Sequence, residues 1–378
     1  MQLPPLSLYI HLPWCERKCP YCDFNSHEAA AEIPERAYVD ALIVDLATEL
    51  RGEQRPLETV FFGGGTPSLF SVESIGRLLD ALRDRAELVA DVEITMEANP
   101  GSVESGKLAG FREAGITRFS LGVQSFDDRC LQALGRVHDS RAAEEAVAAA
   151  RASGARSFNL DLMHGLPQQD RESGLADIHR AIALAPPHLS WYQLTIEPNT
   201  RFYSDPPTLP DESILGTLEE RGAQLLHAAD FLRYEISAWA RPGQECRHNL
   251  NYWRFGDYLA IGAGAHGKCS DPAGRILRYS KTRRPEDYLA ADGTRRRGQR
   301  WLEADDRRGE FALNALRLRE GFSRELFEAR TGLPAASLDS TVRELEDRGL
   351  LLVEGEQLRA SDLGWRFLDD VVGRFFTA

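Results

Sequence analysis

The chain has 378 residues, of which 43% are hydrophobic and 27% charged, an ordinary globular composition with room for one large domain and a smaller one. Its formal net charge is −13, so broad binding to nucleic acid or to anionic membranes, which needs a basic surface, is not expected. The sequence shows no membrane-spanning apolar run and no basic signal-peptide start, so a cytoplasmic, reducing location is expected.

Strand-like apolar runs alternate with helical patterns over the first 235 residues. We predict strands at residues 7–12, 59–63, 91–97, 118–124, 157–163 and 188–196. Helical patterns separate them, for example at 34–52, 71–86 and 140–154. The alternation predicts an α/β fold with a parallel sheet, either an open doubly wound sheet or a barrel.

Polar residues or glycines follow each predicted strand. They are a cysteine loop, the glycine run at 63–65 with Thr66, Glu97 with Asn99, Gln124, Asp161 with His164, and Glu197. In a (β/α) barrel the carboxyl ends of the strands share one rim, where functional side chains converge. The pattern therefore favours the barrel and one shared site, although His164 and Glu197 receive no role.

The regular alternation ends near residue 235. Residues 236–300 are predicted to be a connecting segment, which contains the motif HNxxYW at 248–253. Residues 301–378 show helices followed by a hairpin, the order of a winged-helix-like domain. The helix that would read DNA, at 335–348, carries four acidic and two basic side chains, so we expect no nucleic-acid partner.

Three cysteines lie close together in the loop after the first predicted strand, with the spacing C-x3-C-x2-C: Cys15, Cys19 and Cys22. The last two alone match the dithiol of glutaredoxins, which would leave Cys15 without a use. A zinc site is a second alternative, with a fourth ligand from His27, Cys246 or His248. The spacing fits best with three thiolates that hold three irons of a [4Fe–4S] cluster and leave the fourth iron open.

The cysteine spacing after a first strand resembles the radical S-adenosyl-L-methionine (SAM) superfamily. That resemblance implies a partial (β/α) barrel, a [4Fe–4S] cluster, and SAM bound to the open iron and cleaved by one electron. Further motifs, from residue 7 to about 200, resemble the oxygen-independent coproporphyrinogen oxidase group: YIHLPWC, FFGGGTPS, MEANP, LGVQSF, LGRVH and NLDLMHGLP. The winged C-terminal unit is similar to that group's C-terminal domain.

The resemblance also implies roles for individual residues. The three cysteines would ligate the cluster, flanked by Tyr9 and Tyr21. SAM would be held through its amino acid portion by Gly64, Gly65 and Thr66, and through its ribose and carboxylate by Glu97, Gln124, Arg136 and Asp161. A solvated helix charge is the alternative for Arg136.

Two features bear on the branch of the group. The oxidases carry a further cysteine two positions after the third, where this chain has Phe24. The HNxxYW motif resembles the HemW-like branch of haem chaperones, which implies haem, acceptor haemoproteins (membrane-associated ones among them) and an electron donor as partners. His248 would ligate haem iron beside Tyr252 and Trp253, with a core histidine as the alternative. The alternative function is an oxygen-independent coproporphyrinogen III oxidase, and we assign no catalytic residue.

Overall fold

The computed structural model describes residues 3–29, 32–103 and 105–376. Up to residue 301 the strands of these described residues are β1 (Leu6–Leu12), β2 (Trp14–Cys15), β3 (His27–Glu28), β4 (Leu57–Gly64), β5 (Leu88–Ala98), β6 (Arg118–Gln124), β7 (Ser157–His164), β8 (His188–Gln193), β9 (Leu232–Glu235), β10 (Ala238–Ala240), β11 (Asp257–Ile261), β12 (His266–Ser270), β13 (Ile276–Lys281) and β14 (Arg296–Trp301). The six strands expected from the sequence are all present.

Helices cover the sheet between these strands. They are α1 (Glu35–Glu49), α2 (Val72–Arg83), α3 (Ser105–Ala114), α4 (Asp128–Ala133), α5 (Ser140–Ala152), α6 (Arg171–Ala183), α7 (Arg201–Ser204), α8 (Glu212–Ala228), α9 (Arg247–Trp253) and α10 (Pro285–Leu289). Side-chain caps start several of them: Ser71 accepts a hydrogen bond from the Ser74 amide before α2, and Asp139 accepts one from the Ala142 amide before α5.

The main sheet has the order β14-β13-β12-β11-β1-β4-β5-β6-β7-β8-β10-β9. Strands β1, β4, β5, β6, β7 and β8 pair in parallel, whereas β10 pairs antiparallel with β8. Leu8, Val60 and Met96 lie on neighbouring strands and are fully buried. The prediction of a partial (β/α) barrel is confirmed: the curved parallel sheet brings the carboxyl ends of six strands to one rim.

Residues 236–300 are part of this sheet, so the prediction of a connecting segment is wrong. Strand β11 pairs in parallel with β1, and β12 to β14 extend that side of the sheet. The Lys281 ammonium group is buried and contacts Asp45 and Glu49 of α1, at 2.6 Å each. The basic, glycine-rich composition resembled a surface loop because its charges are paired only in the folded chain.

The C-terminal unit has the helix and hairpin order of a winged helix, as expected. It contains α11 (Ala304–Ala315), β15 (Phe322–Ser323), α12 (Arg324–Thr331), α13 (Asp339–Asp347), β16 (Leu351–Glu354), β17 (Gln357–Ala360), α14 (Asp362–Arg366) and α15 (Leu368–Gly373). Phe311, Phe322 and Phe327 pack edge to face in its separate core. Arg317 pairs with Glu235 of β9 at 3.1 Å and so joins this unit to the barrel. Across the residues that the structure describes, no helix has the length and apolar content required to cross a membrane.

Candidate functional site

The cysteine loop borders a cavity of about 940 Å³ at the rim of the barrel. Cys15, Cys19 and Cys22 all line this cavity as free thiols. Burial raises the pKa of the Cys15 and Cys22 thiols, and a bound cation would oppose that shift because it stabilises the thiolates. Phe24 also borders the cavity but is 60% exposed, so it leaves the loop open on that side.

Arg136 reaches the same loop from the segment after α4. Its Nη1 donates to Cys19 Sγ at 3.5 Å, and its Nη2 donates to the Gly122 carbonyl at 2.8 Å. The guanidinium is therefore held in the cavity wall, and the alternative of a solvated helix charge does not describe it. A donor aimed at a ligand sulfur is a common way in which proteins tune iron–sulfur clusters.

The donor set fits a cluster better than a single zinc ion. None of the three residues considered as a fourth zinc ligand is among the described residues that line the cavity. In the described part of the chain, no three Cys, His, Asp or Glu side chains are grouped so as to hold one metal ion. Structural zinc sites use four protein ligands, whereas three thiols around a wider space suit a [4Fe–4S] cluster with one open iron.

Gly64, the last residue of β4, and Gly65 after it lie directly against the segment that leads into the cysteine loop. A Cβ atom at Gly65 would lie 2.5 Å from the Trp14 carbonyl oxygen, and one at Gly64 would lie 2.5 Å from the His11 ring. Gly64 also has a φ of 115°, which side chains rarely adopt. The Thr66 amide donates to the Trp14 carbonyl at 2.7 Å. Glycine is required here because the two segments of backbone touch.

Two carboxyl groups, from β5 and β7, line the same cavity. Glu97 Oε2 accepts a hydrogen bond from the Gly64 amide at 3.2 Å. Burial, together with the charge of Asp161, raises the pKa of Glu97 to about 8. Asp161 accepts from Ser120 Oγ at 3.1 Å and from Asn159 Nδ2 at 2.8 Å, and burial raises its pKa as well. A positively charged ligand between these groups would relieve their repulsion.

Gln124 and Tyr21 complete the part of the site expected from the sequence. Gln124 has a φ of 70° at the end of β6, an unusual conformation for a residue other than glycine and one that concentrates at functional sites. Its Oε1 accepts a hydrogen bond from the Tyr192 hydroxyl at 3.1 Å. Tyr21 packs against Phe202, and both Gln124 and Tyr21 line the cavity.

Tyr9 supports the cysteine loop through a histidine that the sequence reasoning missed. The Tyr9 hydroxyl donates to His11 Nδ1 at 3.1 Å, and His11 Nε2–H donates to the Asn25 carbonyl at 2.9 Å. Burial lowers the pKa of His11 to about 4, so the ring is neutral. Tyr9 is not among the described lining residues of the cavity. The spacing of Tyr9 and His11, two residues apart on one strand face, was the available signal.

His248 is not brought to the rim. Its ring contacts Thr59, which precedes Gly64 by five residues on β4. At a rise of ~3.3 Å per residue, the His248 ring therefore lies about 16 Å below the rim. The ring is 1% exposed, with Nδ1 2.7 Å from Thr59 Oγ1 and Nε2 2.7 Å from the Tyr252 hydroxyl. Thr59 donates its own proton to Ser7, so His248 Nδ1–H donates to Thr59 and Nε2 accepts from Tyr252. With no free nitrogen, the ring as placed is the core histidine of the alternative interpretation.

A neighbouring face of α9 does reach the cavity. Asn249 and Trp253 of the HNxxYW motif line it, near Arg317 of the C-terminal unit. The Arg317 guanidinium lies 4.3 Å from the centre of the Trp253 ring. Arg317 was missed because it lies about 60 residues from the motif and carries no local sequence signal.

Two family models match the chain. Residues 9–178 match the Radical SAM superfamily, and residues 302–367 match the HemN C-terminal domain. The chain is 48% identical to the protein named Heme chaperone HemW of Haemophilus influenzae, over 100% of this chain and 99% of that protein. The chain belongs to the HemW family. Its identity to the HemW protein of Escherichia coli is 50%, over 99% of each chain.

The chain shares its fold with a solved radical SAM enzyme. The coproporphyrinogen III oxidase HemN of Escherichia coli, described as a radical SAM enzyme, superimposes with a TM-score of 0.83. The match covers 99% of this chain and 91% of that chain at 22% sequence identity. At this level of identity the similarity establishes the common fold of the barrel and the C-terminal unit.

Proposed function

We propose that this protein is a haem chaperone that binds haem and transfers it to acceptor haemoproteins. The observation that carries the proposal is the 48% and 50% identity, over almost the whole length, to two proteins named Heme chaperone HemW. The presence of Phe24 where the oxidases have a further cysteine also supports a chaperone. The similarity to HemN is one of fold and gives the oxidase function no separate support.

We propose that Cys15, Cys19 and Cys22 hold a [4Fe–4S] cluster and that SAM binds beside it in the same cavity. The proposal is supported by the position of the three free thiols, which line the same cavity as Gly64 and Gly65. Two neighbouring carboxyl groups whose ionised forms repel each other suit the positive sulfonium and ammonium groups of SAM, because a cation between them relieves that repulsion. When bound, the cluster supplies one-electron chemistry. The protein's own part is to hold the two ligands close together and to limit the access of water.

We infer that the protein acts in a reducing compartment, the cytoplasm. All six cysteines are free thiols, and three of them share one loop, which is typical of ligands in a reducing environment. Its partners would be an electron donor and acceptor haemoproteins, including membrane-associated ones. These partners are proposed from family membership.

The test separates a chaperone from an oxidase. Protein reconstituted anaerobically with iron and sulfide is titrated with haem, then mixed with an apo-haemoprotein and followed by the absorbance of the acceptor's haem. A parallel sample receives coproporphyrinogen III, SAM and a reductant. We expect saturable haem binding and transfer, without decarboxylation. Stoichiometric formation of protoporphyrinogen IX with matching 5′-deoxyadenosine would overturn the proposal in favour of the oxidase.

A further inference from the structure

The cavity extends past the cysteine loop to the open edge of the barrel beside β8. On that side its lining includes His164, Trp191, Arg233, Trp253 and Arg317. These residues come from β7, β8, β9, α9 and the C-terminal unit. They are distinct from the residues to which we assign the cluster and SAM, and the sequence reasoning left His164 without a role.

His164 differs from the other buried histidines. Four of those that the structure describes, namely His11, His138, His188 and His248, have hydrogen bonds at both ring nitrogens. His164 is 6% exposed and makes no hydrogen bond through either nitrogen, and its Nδ1 is buried without a partner. Because nearly all buried polar groups in proteins are paired, an unpaired buried imidazole is open to a partner that the chain itself does not supply.

The surroundings keep this imidazole neutral. Burial, and after it the positive charge of Arg233, lower the pKa of His164 to about 4. The ring packs against Trp191 with the ring centres 4.6 Å apart. A neutral imidazole held by an aromatic neighbour retains a lone pair, which is the form that binds haem iron.

The rest of this edge carries aromatic and charged side chains, and Glu219 and Glu235 of the same lining pair with its two arginines. Arg317 keeps its Nε buried without a partner while its Nη2 contacts Glu235, and Trp253 has an unpartnered Nε1. Arg233 contacts Glu219 at 3.7 Å and the Ile236 carbonyl, which leaves other donors of its guanidinium available. Flat aromatic surface and arginine donors match the two parts of haem, the porphyrin ring and the propionate carboxylates.

We propose that this edge of the cavity is the haem subsite, with His164 as the iron ligand and Arg233 and Arg317 facing the propionates. The inference rests on the proposed haem chaperone function and specifies where that function takes place. It also gives two residues of the HNxxYW motif different roles. Trp253 would contact haem, whereas His248 stabilises the base of the barrel through its hydrogen bonds to Thr59 and Tyr252.

The test replaces His164 by phenylalanine, which keeps a ring against Trp191 but removes both nitrogens. We expect the spectrum of the histidine-ligated haem to be lost and haem affinity to fall at least about tenfold, with unchanged SAM affinity and melting temperature. In His164→Ala, added imidazole is expected to restore the spectrum of the protein-bound haem. His248→Ala is the matched control and is expected to keep the wild-type haem spectrum.

The outcomes distinguish the two proposals. If the wild-type protein binds haem and His164→Phe gives the same spectrum and affinity, the assignment of His164 is wrong and the chaperone function stands. Loss of the spectrum in His248→Ala but not in His164→Phe would restore the ligand that the sequence suggested. If the wild-type protein shows no saturable haem binding, the chaperone function itself fails.

Discussion

The rim and the base of the barrel both bury polar side chains, but they differ in how these groups are paired. At the base, Glu93 accepts the Arg247 and His248 amides at the start of α9, and both nitrogens of His248 are bonded. At the rim, Glu97 accepts one hydrogen bond, from Gly64, and His164 makes none. A fully paired buried group stabilises the fold, whereas an unpaired one carries a free-energy penalty that a bound ligand can remove.

The largest expected effect is at the rim. Replacing Cys19 with serine should abolish the broad iron–sulfur absorbance of anaerobically reconstituted protein, because only two thiolates would remain for a cluster of four irons. The measurement is the iron and sulfide content together with the visible spectrum. Cys269→Ala, on β12 and outside the cavity lining, is the control and should load normally. If Cys19→Ser binds the full content of iron and sulfide, this loop is not the cluster site.

The base should respond in stability rather than in ligand binding. His248→Ala leaves Tyr252 without its acceptor and opens a void beside Phe61, so we expect a loss of about 2–4 kcal/mol in the free energy of unfolding. Urea unfolding measures it. The exposed residue His179 gives the matched control, with a change within about 0.5 kcal/mol for His179→Ala. Equal stability of the two variants would show that the pairing at the base is unimportant.

A smaller effect is expected from the carboxyl group of Glu97, and it depends on pH. The folded-state pKa is about 8 and the ordinary value 4.5, so between these values the folded state binds more protons than the unfolded state. The stability contributed by this group is full below pH 4.5 and is lost as pH rises through 8. A pKa difference of one corresponds to about 1.4 kcal/mol, so the loss between pH 5.5 and pH 8.5 should be at least about 1 kcal/mol.

Glu97→Gln should remove that dependence. Its free energy of unfolding, measured without SAM at pH 5.5 and pH 8.5, should fall less with rising pH than that of the wild-type protein. The same decline in both proteins would mean that Glu97 is ionised at neutral pH and that the two carboxyl groups do not repel each other at the rim.

The sequence determined the features that repeat or that lie close together in the chain. Apolar runs of strand length predicted the six parallel strands, because a strand buried on both faces must be apolar almost throughout. The polar residues after those runs gave the rim, since parallel strands end at the same edge. The short spacing from Cys15 to Cys22 gave the cluster loop without any tertiary information.

Only the tertiary structure decided what depends on distant partners. His248 becomes a fully bonded core residue because Thr59, almost 190 residues away in the chain, meets its ring. Residues 276–281 and 296–301 lie in the sheet as β13 and β14, and Asp45 and Glu49 neutralise the buried Lys281 of β13, a pairing that local composition does not reveal. The unpaired state of His164 is likewise a property of the fold. The sequence supplies an imidazole with two ring nitrogens, but the neighbours packed around the ring determine whether those nitrogens form hydrogen bonds.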